Sequence, residues 1–198
     1  MKSSAENGFS LIEVLVSLFV LAVGVIGAAG MQLAALRTSQ QSVFQTSALY
    51  LAAEMGERMR ANVSQMKLAD NANPYLRTDH RFSSSSHSTI SSPNCYGSNA
   101  HCDAEQLAQF EIAEWLQRVG NELPQGRVKV CRDVAPWNES GQHFKWDCSE
   151  NAASTEKQRA GSVVIKIGWQ QKNPDGKPLR KTGEDAPAIA LLVAPYAK

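Results

Sequence analysis

Gly8-Phe9-Ser10-Leu11-Ile12-Glu13-Val14-Leu15-Val16 is the stretch on which the reading of this 198-residue chain turns. After Glu13, the 23 residues of 14–36 carry no charged side chain. At about 1.5 Å per residue, a helix over them is about 35 Å long, enough to cross a hydrocarbon core of about 30 Å with some tilt. Gly24, Gly27, Ala28 and Gly30 are small. They admit close approach of a second helix, and they serve equally well as plain membrane filler. Glu13 is the anomaly. A carboxylate flanked by apolar residues is costly near a bilayer and asks for a cation. The nearest basic side chains in sequence are Lys2 and Arg37. With one basic residue before the span and one directly after it, positive charge does not set the orientation. No other segment is long enough to span, which excludes a polytopic membrane protein. Lys+Arg is 20 and Asp+Glu is 19, a formal net charge of +1. That near-neutrality argues against a basic, phosphate-tracking nucleic-acid binder.

Gly8-Phe9-Ser10-Leu11-Ile12-Glu13 with its long apolar tail resembles the prepilin signature of the type IV pilin-like family. The resemblance implies that a membrane prepilin peptidase removes residues 1–8 by cutting between Gly8 and Phe9, and then methylates the new amine of Phe9. Gly8 has no Cβ, so a protease can close tightly on the backbone there. In the family, the acid at the position of Glu13 is thought to meet the terminal amine of a neighbouring subunit, so cleavage would create the missing cation. A buried pair of this kind is better evidence for register than for stability. Two plainer readings stand beside it. Ser10 and Glu13 also fit a capping box at a helix start, which is compatible with the prepilin reading. A secretory signal cut near Ala28-Ala29-Gly30 fits less well, because the apolar stretch is long and an acid sits at its head.

The helix is expected to continue as one rod of about fifty residues, amphipathic after residue 36. Leu33, Leu36, Val43, Phe44, Leu51, Met55 and Met59 recur near a helical period, and Arg37, Gln40, Gln41, Gln45 and Glu57 take the other face. Glu57-Arg58-Met59-Arg60-Ala61-Asn62 resembles a segment of the minor pilins of the PilV subgroup. Arg58 and Arg60 themselves read as a solvated helix face without direct chemistry. Asn71, Asn73 and Pro74 break the helix. Seven of the ten residues 83–92 are serine, too polar to fold by burial. Asp103, with Gln106 three positions on, predicts a helix capped there and stopped at Gly120, with Ala108, Ile112, Trp115, Leu116 and Val119 on one face. Leu123-Pro124-Gln125-Gly126 and Asn173-Pro174-Asp175-Gly176 read as turns. Strands are predicted at 127–131, at 162–169 with Val163, Ile165, Ile167 and Trp169 inward, and at 188–193 with Ile189, Leu191 and Val193 inward.

The resulting expectation is an α+β, type IV pilin-like fold: a long N-terminal helix packed on a small antiparallel sheet with a short extra helix. Its parts would be a leader at 1–8, a transmembrane and assembly helix at 9–36, the amphipathic half at 37–67, a serine-rich loop region at 68–102 and a disulfide-stabilised head at 103–198. All four cysteines, Cys95, Cys102, Cys131 and Cys148, follow the span. An even count in a loop-rich head beyond an anchor points to two disulfides and an oxidising compartment. Three pairings are open. Cys95–Cys102 with Cys131–Cys148 is favoured because each closes a local loop. Cys95, Cys102 and scattered histidines (His87, His101, His143) have no usual zinc spacing. No motif places a base beside a cysteine, and no catalytic residue, metal or cofactor is expected.

The resemblance implies a structural and assembly subunit rather than an enzyme: a minor pilin in the inner membrane, single-pass with a periplasmic head, later in the pilus fibre at the cell surface. Its partners would be the other major and minor pilins through the N-terminal helix, the prepilin peptidase and the inner-membrane assembly machinery. Pilus assembly, twitching motility and adhesion would depend on it. The alternative is a minor pseudopilin of a type II secretion system, which the N-terminal signature does not separate. Nucleic acid is not an expected partner, although Lys166, Lys172, Lys177, Arg180 and Lys181 form a modest basic cluster that usually marks a solvated hairpin.

Overall fold

The computed structural model describes residues 10–83, 90–97, 99–149, 161–171 and 186–193. Gly8, Phe9, most of the serine tract with His87, the 173–176 turn and the basic residues Lys172, Lys177, Arg180 and Lys181 lie outside them. The chain divides into two compact units, 1–41 and 42–198. Helix α1 runs Leu11–Ala61 and contributes to both.

Over residues 14–36 α1 carries no charge and is apolar on all sides, and every one of these residues is exposed. Leu11, Phe19, Ile26 and Met31 are each more than two-thirds exposed. Ser17 returns its hydroxyl to the Val14 carbonyl at 2.8 Å, and Thr38 returns its own to Ala34 at 3.1 Å. These hydroxyls therefore spend their hydrogen bonds within the helix itself.

The second unit is a two-layer α+β head. Its sheet is antiparallel in the order β1-β2-β5-β6, with β1 Asp79–Arg81, β2 Arg127–Asp133, β5 Ser162–Gly168 and β6 Ile189–Val193. One face is apolar by strict alternation: Val128 and Val130 from β2, Val163, Ile165 and Ile167 from β5, Ile189 and Val193 from β6. Onto it pack α1, through Ala48, Leu51, Ala52, Met55 and Met59, and α3, which runs Ala104–Glu122 and contributes Ala108, Trp115, Leu116 and Val119. Trp115 joins the two helices, donating its indole N–H to the Leu51 carbonyl at 2.8 Å. A Cβ on Gly56 would sit 3.7 Å from Val193, so small residues on α1 bring it close to the sheet. The second face of β5 is also buried, at Val164 and Lys166. Across that face runs the 134–149 segment, which carries the hairpin β3 Trp137–Asn138 and β4 His143–Phe144.

Asp103 caps α3 as expected. Its carboxylate accepts the Gln106 N–H at 2.8 Å, and Gln106 returns a bond to the Asp103 N–H at 3.1 Å. Gly120 does not stop the helix, which continues to Glu122. Its absent side chain instead makes room for Phe82, whose ring lies 2.8 Å from where a Cβ would be. Three further expectations need correction. The amphipathic helix does not run unbroken to residue 67. It ends at Ala61, Asn62 leaves helical geometry, and a short α2 follows at Val63–Met66. The Asn62 side chain accounts for the break by donating to the Ala104 carbonyl at 2.8 Å, tying the end of α1 to the start of α3. The loop region is not all loop: it holds a 3-10 turn at Tyr75–Arg77 and strand β1. Val43 is 58% exposed and lies outside the head core, whose stripe begins at the half-buried Phe44.

Candidate assembly surface

At the start of α1 the Ser10 carbonyl accepts the N–H of Glu13 at 3.0 Å and of Val14 at 3.3 Å. Glu13 is exposed, and no cation is paired with it among the described residues. Gly24, Gly27 and Gly30 have open space where a Cβ would be, so no packing among the described residues requires glycine there. This one helix is long and apolar enough to cross a membrane by length and composition, and its apolar window is entirely unburied. Such a surface is stable only against lipid or other helices, because nothing else offsets the cost of exposing it to water.

Among the described residues of the head, exposed apolar side chains such as Tyr96, Val134 and Leu192 are scattered. Cys95 is bonded to Cys102, Cys131 to Cys148, and no free cysteine remains. The first bridge closes a small loop that lies on α3: the Cys95 sulfur approaches the Gln106 carbonyl at 3.8 Å, and Tyr96 packs edge-on against Phe110 and donates to Glu114. The second bridge ties the covering segment to β2, beside a fully buried ion pair. Lys166 Nζ donates to Asp133 Oδ2 at 2.6 Å and to the Asp147 carbonyl at 2.8 Å, and both charged side chains are 0% exposed. The other oxygen, Asp133 Oδ1, accepts the Ala135 N–H at 2.9 Å, the Ser149 N–H at 3.3 Å and the Ser149 hydroxyl. Burial pushes the Asp133 carboxyl up, but the bonds from Lys166, Ser149 and Ala135 outweigh it and hold the carboxyl below its usual value. Burial lowers the Lys166 ammonium, with Asp133 opposing part of that shift. Lys166 therefore does not belong to the solvated basic cluster expected from sequence.

Arg58 is not a solvated face either. It meets Glu54 at 2.9 Å, Glu114 at 3.3 Å and the Glu111 carbonyl at 3.3 Å, linking α1 to α3. Arg118 also pairs with Glu54. Arg60 remains on the surface with Glu57. Tyr75, buried beneath this network, donates to Glu111 at 2.6 Å, and burial together with that bond raises its phenol well above the usual range. The described histidines are dispersed: His80 packs edge-on to Phe82, His143 faces the Gly141 carbonyl and His101 is exposed. No cluster of three His, Cys, Asp or Glu able to hold a metal occurs among the described residues.

Residues 3–29 match the family description "Prokaryotic N-terminal methylation motif". The match spans Gly8, Phe9 and Glu13 and reaches into the apolar helix. No curated protein and no solved structure matches the chain. The motif marks type IV pilin and pseudopilin subunits, which are structural rather than catalytic, and it implies processing by a prepilin peptidase and assembly into a pilus-type complex. The single N-terminal apolar helix fits a membrane-anchored subunit of that class.

Proposed function

We propose that this protein is a minor pilin of a type IV pilus, of the PilV subgroup. It is made as a prepilin in the inner membrane, cut between Gly8 and Phe9 and methylated on Phe9. The 9–36 helix then enters the fibre, and the 103–198 head, with the 37–67 and 68–102 regions leading to it, lies first in the periplasm and then at the cell surface. Its mechanism is assembly: the new amine of Phe9 supplies the counter-ion for Glu13 of a neighbouring subunit, and the apolar helix packs among other pilin helices. The observation that carries this reading is the methylation motif, set on an apolar helix that no described residue covers. Two disulfides in the head support an oxidising compartment.

Glu13→Gln tests it. The variant is expected to be processed and to stay in the membrane, while its amount in sheared fibres falls at least about tenfold, as loss of about 1.4 kcal/mol of pairing requires. Incorporation equal to the parent would overturn the pairing. Deletion of the whole chain addresses the system: loss of surface fibres and twitching with exoprotein release intact is expected. Lost release with intact fibres would instead mark a type II secretion pseudopilin.

A further inference from the structure

The head sheet ends on one side at β1. Asp79, His80 and Arg81 pair with Lys129, Val128 and Arg127 of β2. Just beyond the strand, the Thr78 carbonyl accepts the Val130 N–H at 2.9 Å and the Phe82 N–H donates to the Gly126 carbonyl at 2.8 Å. Bonded residues alternate along an antiparallel ladder. Residues 78, 80 and 82 therefore turn their backbone polar groups toward β2, and Asp79 and Arg81 turn theirs outward. No described segment bonds to those outward groups.

Beside this edge lies an open groove of about 380 Å³, walled by β1 on one side and α3 on the other. Its α3 wall mixes Gln109 with Ile112, Ala113 and Leu116, of which Ile112 is the half-buried apolar side chain, and half-buried Ile90 adds to it. Arg77 stands in the lining, exposed and without an acid partner among the described residues. The neighbouring carboxylate of Asp79 is already engaged, by Lys129 at 3.2 Å and Arg127 at 3.6 Å. Among the described residues the edge thus offers unpaired backbone groups on Asp79 and Arg81, and the groove offers half-buried apolar side chains and a cation without an acid partner. An edge strand beside a helix is the arrangement that accepts an added strand, with backbone bonds giving affinity and alternate side chains giving selectivity.

We propose that the free edge of β1 and the groove toward α3 bind an extended acidic peptide of a partner protein. The peptide joins the sheet next to β1, sets an apolar side chain against Ile112 and Ile90, and brings a carboxylate to Arg77. The proposal is independent of the assembly reading, because none of these residues lies in the methylation motif.

The test uses the full chain in detergent micelles and a fluorescent, acetylated hexapeptide that alternates valine and threonine and ends in two glutamates. Saturable binding is expected, with slowed amide hydrogen exchange at Asp79 and Arg81. Arg77→Glu, at an exposed position that leaves the fold intact, is expected to weaken binding at least about tenfold. A peptide ending in two lysines, and one N-methylated at alternate backbone positions, are expected to bind at least about tenfold more weakly. The proposal is overturned by absence of saturable binding up to millimolar peptide, by unchanged exchange at Asp79 and Arg81, or by equal binding of either control peptide.

Discussion

At the scale of single residues, Asp133 and Lys166 form an ion pair buried inside the head. A charge taken fully out of water is tolerated only with a partner and with its remaining polar atoms bonded, and here both conditions are met. Lys166→Met removes one partner and leaves the other buried alone, so unfolding in denaturant should show a loss of about 3–5 kcal/mol. Replacing both residues with apolar ones of similar volume should recover most of that loss, because no lone charge is left behind. The same carboxylate gives an acid dependence with a definite sign. Asp133 is held below its ordinary value of 3.8 in the folded state. Its contribution to stability is therefore fully present above that ordinary value and is lost as pH falls through the lower folded one. Denaturation midpoints measured from neutral pH downward should decline in that acid window, and Asp133→Asn should flatten the decline while lowering stability at neutral pH. Lys166 was misread from sequence for a physical reason. In β5 it alternates with Ile165 and Ile167, which puts it on the face that a two-layer head normally leaves to water. Among the described residues the 134–149 segment, distant in sequence, covers it.

At the scale of elements, the two disulfides have unequal work. Cys95–Cys102 closes a sequence separation of 7 and Cys131–Cys148 one of 17. On chain entropy alone these are worth about 2 and about 3 kcal/mol. The second also keeps Asp147 and Ser149 against the buried pair, so its loss should reach further. Replacing Cys131 and Cys148 with serine is expected to expose Lys166 to amine acetylation under native conditions, whereas replacing Cys95 and Cys102 is not. Peptide mass mapping of acetylated lysines separates the two results. The elements also divide by how legible they were. The alternation Val163, Ile165, Ile167 and the Asp103 to Gln106 cap are local signals, and strand and helix formed where they predicted. Strand β1 has no such signal: Asp79-His80-Arg81 is polar throughout and becomes a strand because β2 offers it a ladder. Asn62 reads as an ordinary helical position until Ala104, forty-two residues on, is seen to take its side chain. Ala48 and Ala52 are too small to enter an apolar stripe by eye, yet they bring α1 against the core because they are small. For the assembly surface, the motif at Gly8–Glu13 was readable directly, since its meaning lies in local chemistry rather than in tertiary contacts.

At the scale of the whole molecule, one chain carries two different answers to burial. The 42–198 unit encloses its own apolar face, while α1 in the 1–41 unit leaves Leu11 to Leu36 uncovered. A chain of this kind should remain in the membrane pellet after alkaline carbonate washing and need detergent for release, whereas recovery in the wash would contradict a membrane-inserted α1. On the proposed function, proteolysis manufactures the cation that Glu13 lacks. Intact-mass spectrometry of the protein extracted from peptidase-bearing cells, without reductant, tests it most directly. The expected product is a chain that starts at Phe9, bears one added methyl group and lacks four hydrogens for its two disulfides. A chain still carrying residues 1–8 in those cells would contradict it.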